Sequence, residues 1–208
     1  MTILQTKYVT HRTEAVAPDV IPPGWTKFVP DYCQLISESN GFLLLGGIFR
    51  IFGLGDKALG RDALTWNEAE WRDGFDVPPT YLFLGENIFG DQYAFDTGAN
   101  RLLLMACEGG RFEETPHKTI TDLVKDITIS KNIQGVDFDL LQAASENGVQ
   151  PGSSEHLGFA VPLICGGQAN ADNFEVVDAG AHMQILAQLV SQIRKLPPGT
   201  PLKFGARH

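Results

Sequence analysis

The residues from Tyr81 to Asp96 constrain this chain more than any other stretch. They read Tyr-Leu-Phe-Leu-Gly-Glu-Asn-Ile-Phe-Gly-Asp-Gln-Tyr-Ala-Phe-Asp. Tyr81 to Leu84 is an apolar run too short for a helix and rich in aromatics, the pattern of a buried strand. Gly85-Glu86-Asn87 supplies turn chemistry, and Phe89-Gly90-Asp91 a second change of direction. Gln92 to Asp96 alternates polar and apolar residues, with Tyr93 and Phe95 on one face, as a half-buried strand does. Asp96 to Asn100 closes the segment as a turn, and Arg101 to Met105 returns as another apolar strand. Three strands joined by short turns make the centre of an antiparallel sheet.

The flanks supply helices and further strands. Pro30-Asp31 opens a helix whose Tyr32, Leu35 and Ile36 form a stripe, and Ser39-Asn40-Gly41 ends it in a left-handed cap. Phe42 to Leu45 and Ile48 to Phe52 read as strands around Gly46-Gly47. Thr65 to Arg72 reads as one short helix, with Thr65 and Glu68 as a capping box. Ala106 to Pro116 reads as a charged loop. Thr119 to Ile127 and Phe138 to Glu146 follow as helices. Leu157 to Cys165 is an apolar strand interrupted by Pro162, and Phe174 to Val177 is positioned to pair back. Ala181 to Leu196 is the longest helix, with Met183, Leu186, Ala187, Val190 and Ile193 in one stripe.

At the other end, Tyr8 to Thr10 allows a short strand. Pro18, Pro22 and Pro23 argue against regular structure after Ala17. The expected organisation is an N-terminal arm over residues 1–28, anchored by Trp25 and Phe28, a core over 29–133, and a strand-helix extension over 134–208 packed on it. The fold class is α+β, with an antiparallel or mixed sheet of about five to six strands flanked by helices.

Leu82 to Asp96 resembles the signature of the SUKH superfamily, the Smi/Knr-like proteins, which place a Gly-Asp pair between two core strands. Val29-Pro30-Asp31-Tyr32 leading to Ser39-Asn40-Gly41 is similar to that family's opening helix. Ile48 to Gly53, Trp66-Asn67 and the helix from Thr119 to Ile127 stand in the family's order. The resemblance covers roughly residues 29–130. It implies an α+β fold and a non-enzymatic binding role, commonly that of an immunity protein that neutralises a bacterial toxin. A scaffold or regulatory module is the alternative it allows.

Composition sets outer bounds. A chain of 208 residues can bury a full core, and no apolar run approaches the roughly 18 residues needed to cross a bilayer. The N-terminus lacks the basic start and apolar middle of a signal peptide, so the expected compartment is the cytoplasm. Cys33, Cys107 and Cys165 are odd in number and far apart, which reads as three reduced thiols rather than a disulfide framework or metal site. The net charge of −9 disfavours a phosphate backbone as partner and suits a basic protein, such as a cationic toxin domain. No cofactor or metal is expected, and the oligomeric state is left open.

Three groups of residues carry chemistry worth weighing. Glu68, Glu70, Asp73 and Asp76 lie near Trp66, Trp71 and Phe75, aromatic rings ringed by carboxylates that suit a cationic partner. The competing account is core tryptophans beneath a solvated charged face. Glu86 and Asp91, the acids of the central motif, are partner-binding candidates; as a pair they could also do acid-base work. The blander account has Asp91 capping a tight turn and Glu86 marking an exposed loop.

His156, Pro162, Gly166-Gly167, Asn173 and His182 look like a degenerate HNH nuclease finger. The catalytic histidine of that family falls here on Gly158 or Phe159, neither of which takes a proton or a metal. A nuclease is therefore the second alternative, and an inactive one.

Overall fold

The computed structural model describes residues 7–55, 58–197 and 200. Its centre is a seven-stranded antiparallel meander in which each strand pairs with its neighbours in sequence. The strands are β1 (Val9–Arg12), β2 (Phe42–Leu44), β3 (Phe49–Ile51), β4 (Tyr81–Asn87), β5 (Gln92–Asp96), β6 (Arg101–Ala106) and β7 (Arg111–Glu114). A separate hairpin joins β8 (Glu155–Phe159) to β9 (Phe174–Asp178). Seven helices surround them: α1 (Pro23–Phe28), α2 (Pro30–Ile36), α3 (Ala63–Asn67), α4 (Trp71–Gly74), α5 (Ile120–Ser130), α6 (Phe138–Glu146) and α7 (Ala179–Ile193). The architecture is α+β, as the alternation of short strands and amphipathic helices predicts.

Every residue of β5 is buried, so this strand is covered on both faces rather than half-exposed. On one face the ring of Trp66 reaches Gln92, and Trp71 packs on Phe83. On the other, Tyr93 sits edge-on to Phe49 and donates its hydroxyl to the carbonyl of Gln134. The alternation of Gln92 and Tyr93 therefore separates two buried faces, one of which tolerates polar atoms because they are bonded there.

Other expectations need correction. Glu86 and Asn87 continue β4, and the chain turns at residues 88–91 instead. Arg111–Glu114 is a seventh strand where a loop was expected; it pairs with β6 from Leu103 to Ala106 and so completes an edge that charge alone would hide. The stretch 65–72 divides into α3 and α4. Asp62, not Thr65, caps α3 by accepting the amides of Leu64 and Thr65. The division falls after Asn67, whose side chain bonds the carbonyls of Ala63 and Phe83 and competes with helix propagation. In the N-terminal arm, β1 forms the sheet edge and α1 follows Pro22, so proline starts a helix there rather than preventing one. Trp25 packs on Tyr32, but Phe28 is exposed and anchors nothing.

The C-terminal helix belongs to the main core. Met183, Leu186, Ala187 and Val190 share one apolar cluster with Trp66, Trp71, Phe75 and the central strands. The closeness of α4 to α7 needs Gly74, because a Cβ there would stand 2.7 Å from the carbonyl oxygen of Ala187. A second cluster of Phe89, Ala144, Leu157 and Phe174 joins α6 to the hairpin.

Asn40 fixes the end of α2 to the loop after β3. Its side chain donates to the carbonyl of Leu54 at 2.9 Å and accepts the amide of Leu54 at 2.6 Å. Asn40→Ala would strand both buried backbone groups, and urea denaturation should show a loss of about 2 to 4 kcal/mol.

Candidate functional site

The densest chemistry in the molecule lies on the polar face of the central strands. Arg50 stands opposite Glu86 across β3 and β4, and Glu86 opposite Gln92 across β4 and β5. Directly opposed residues project to the same side of a sheet, so the three side chains converge. Arg61 enters from the segment before α3, and His156 from β8. All five are buried, Glu86 and His156 completely.

Glu86 is the hub. Its Oε1 lies 3.2 Å from Arg50 Nη1 and 3.1 Å from Arg61 Nη2. Its Oε2 lies 3.1 Å from His156 Nε2 and accepts a hydrogen bond from Gln92 Nε2 at 2.9 Å. Gln92 in turn accepts from the indole of Trp66 at 2.8 Å, and the Arg61 guanidinium lies over the Trp66 ring. Arg50 also donates to the carbonyls of Gly152, Ser153 and Glu155, which clamps the start of the hairpin to the sheet.

Geometry assigns the imidazole protons. His156 Nε2 cannot both donate to Glu86 at 3.1 Å and accept from Arg61 at 3.4 Å. The carboxylate is the closer partner and the stronger acceptor, so Nε2 carries the proton. His156 Nδ1 is then an acceptor, and His182 Nδ1, 3.1 Å away, donates to it. Burial would raise the Glu86 carboxyl, yet His156, Arg61 and Arg50 together hold it well below the ordinary carboxylate range. Burial lowers His156 in spite of Glu86, and both guanidiniums add to the lowering by opposing a further positive charge. Burial and then His156 push His182 down to about 3. The cluster is thus a carboxylate between two guanidiniums, with two neutral imidazoles in series.

The turn beside it is made by different residues from those expected. Asn87 caps it, its Oδ1 accepting the amides of Phe89 and Asp91. Asp91 instead ties the turn to the far end of β6, accepting from the Cys107 amide at 3.0 Å and from Asn87 Nδ2 at 3.0 Å. Gly90 has φ +93°, and a Cβ there would stand 2.6 Å from His156 Nδ1. The glycine serves both the turn and the histidine behind it.

The acidic and aromatic group separates into two layers. Trp66, Trp71 and Phe75 are core residues, 9%, 2% and 1% exposed, so their rings are not free to anchor a partner. Glu68, Glu70 and Asp73 are exposed, as is Asp76, which pairs with Arg194 at 2.9 Å. Glu86 is sealed and contributes nothing to the surface.

The residues that look like a nuclease finger make structural bonds. Asn173 accepts the Val161 amide and donates to the carbonyls of Val161 and Gln168. His156 and His182 face each other inside the protein. Among the described residues, no group of three or more His, Cys, Asp or Glu is placed to hold a metal ion, and no helix is long and apolar enough to cross a membrane. Sequence reasoning missed Arg50, Arg61 and the pairing of the two histidines. The alternation of Ile48 to Phe52 places Arg50 on a face, but only the assembled sheet makes that face interior.

Comparison with known proteins adds two findings. Residues 118–190, 73 of the 208, match the family described as T6SS immunity protein Tdi1, C-terminal. This segment runs from just before α5 into the last turn of α7 and supplies His156 and His182. A crystal structure of Atu4351 from Agrobacterium tumefaciens shares the fold, with a TM-score of 0.61 and 15% identity over 88% of this chain and 85% of that one. No curated protein matches.

Two outcomes test the cluster. Glu86→Gln keeps the shape but removes the negative charge that both guanidiniums face, and chemical denaturation near neutral pH should register a loss of about 3 to 5 kcal/mol. The histidines make a pH prediction. Each has a folded pKa below its unfolded value of 6.5, so the neutral fold is fully favoured above pH 6.5 and loses stability as pH falls, down to about 3 for His182. His182→Asn should remove about 1.4 kcal/mol per pH unit of that slope, read as the difference between the two proteins' stabilities across the window.

Proposed function

We propose that this protein is an immunity protein that neutralises a bacterial toxin by binding it directly. The match of residues 118–190 to a type of T6SS immunity protein carries this reading. The SUKH resemblance of residues 29–130 points to the same class of function from a largely different part of the chain. The binding is stoichiometric and non-enzymatic, with the toxin's active site or substrate groove occluded.

The net charge of −9 favours a basic toxin domain. Exposed Glu68, Glu70 and Asp73 are suited to steering such a partner during approach, while the tightly held contacts lie elsewhere. Three free cysteines suit a reducing compartment, and the proposed location is the cytoplasm.

The test is co-expression with toxin genes taken from the genomic neighbourhood of this gene. Growth should be restored, and the two chains should co-purify as a defined complex. A toxin that kills equally with and without this protein removes the reading. Within the complex, Glu68→Gln, Glu70→Gln and Asp73→Asn combined should slow association about tenfold at low salt and leave dissociation nearly unchanged, as measured by stopped-flow mixing.

A further inference from the structure

A cavity of about 340 Å³ opens between the turn at residues 88–91, the β6–β7 turn, the start of α6 and the loop after β8. Its apolar wall includes Phe89, Leu140, Phe159 and Leu163, and its ionisable groups are Asp91, Cys107, Glu108 and Asp137. Three of these are carboxylic acids, and among the described residues no basic side chain lines the space.

Glu108 is the unusual member. Its Oε2 accepts the amides of Leu163 and Ile164, at 2.6 and 3.3 Å, while its Oε1 is buried with no hydrogen-bond partner among the described residues. A buried carboxylate oxygen without a donor is costly, and a bound cation removes the cost. Burial and then the Asp91 charge hold the Glu108 carboxyl above its usual range, and burial does the same for Asp91. An acid whose ionisation burial and a neighbouring carboxylate both disfavour gains when a positive charge arrives beside it. The donors do not form a metal site, and the apolar wall would be wasted on a bare ion.

We propose that this cavity receives an arginine side chain presented by the partner toxin, with its guanidinium on Glu108 and its aliphatic stem along Phe89, Leu140 and Phe159. The proposal rests on the immunity reading and gives that reading a contact point. Arginine fits better than lysine because a planar, weakly hydrated guanidinium offers several donors at once to separate oxygens and sheds its water at lower cost. Asp137 stands exposed at the rim, and four of the five N–H donors of an arginine are left to satisfy it and Asp91. The segment matched to the immunity family supplies Gly135, Asp137, Leu140, Phe159, Leu163 and Ala169, more than half of the lining.

The test uses the full chain in two arms. In the first, butylguanidinium is titrated into isotope-labelled protein and amide shifts are followed by NMR. Saturable shifts are expected around residues 89–91, 106–108, 135–140 and 159–169, and none with butanol. Glu108→Gln, which keeps an acceptor for Leu163 and Ile164, should weaken this binding about 10- to 100-fold. Ala169→Trp, at an exposed rim position, should block it. The absence of saturable shifts in the unaltered protein, or equal binding by both variants, overturns the proposal.

In the second arm the same variants, checked by thermal melting, meet the toxin. Each should weaken the complex at least about tenfold. Variants that bind as tightly as the parent overturn the arginine pocket and leave the immunity reading intact. A parent chain that neither binds nor protects removes both.

Discussion

Glu86 is the interaction on which the rest of the structure depends, because side chains from four other segments meet on its two oxygens. Arg50 comes from β3, Gln92 from β5, Arg61 from the connection into α3 and His156 from the C-terminal hairpin. A buried charge costs several kcal/mol to desolvate, and that cost is offset only where charge and hydrogen bonds are both supplied. Here the two guanidiniums supply the charge and Gln92 and His156 the donors. The arrangement is more demanding than an apolar core of the same volume, since displacing any one element leaves the others uncompensated. It fixes how the hairpin registers on the sheet, which apolar packing alone would specify less tightly.

Burial keeps both imidazoles neutral, and around His156 the charge balance adds to it. One carboxylate faces two guanidiniums, so the local sum is already positive. The excess is spread over the backbone carbonyls of Gly152, Ser153 and Glu155, whose oxygens all point at Arg50. A proton on His156 would add a like charge in a buried space, where the field of the guanidiniums is weakly screened. The chain of donors therefore runs one way, from His182 to His156 to Glu86, and behind its first donor lies His182 Nε2, which is buried and has no partner among the described residues. Gly158 leaves room for that ring: a Cβ there would lie 3.1 Å from the same nitrogen.

Local signals reported on local structure and failed where the third dimension decides. The periodicity of Phe138 to Glu146 and the alternation of Gln92 to Asp96 each found their element to the residue, because in both the pattern and the caps agree. The seventh strand escaped because its residues, Arg111, Phe112, Glu113 and Glu114, carry an edge strand's charges, and those charges also mark a loop. Glu86 was misplaced for a related reason. A glycine before it and an asparagine after it suggest a turn, and nothing nearby in the sequence reveals that Arg50, Arg61 and His156 arrive to bury it. For the same reason the tryptophans near Glu68 and Asp73 could equally have been surface anchors or core, and only packing against α7 and Phe83 distinguishes the two.

The buried cluster and the open cavity are two ends of one mechanical unit. The turn from Asn87 to Asp91 has His156 against Gly90 on one side and Asp91 bonded to the Cys107 amide on the other. Phe89, at its tip, stacks on Phe174, which stacks on Phe159, so the apolar wall of the cavity is set by the same hairpin that Arg50 and Glu86 hold down. Glu108, one residue beyond Cys107, is aimed by the amides of Leu163 and Ile164 from the loop that the hairpin encloses. A surface built on rigid, mutually braced segments loses little entropy when a partner docks, and this raises affinity without adding contacts. Glu86, through the hairpin that it and Arg50 hold against the sheet, therefore also helps to set the walls of the cavity, which come from four chain segments.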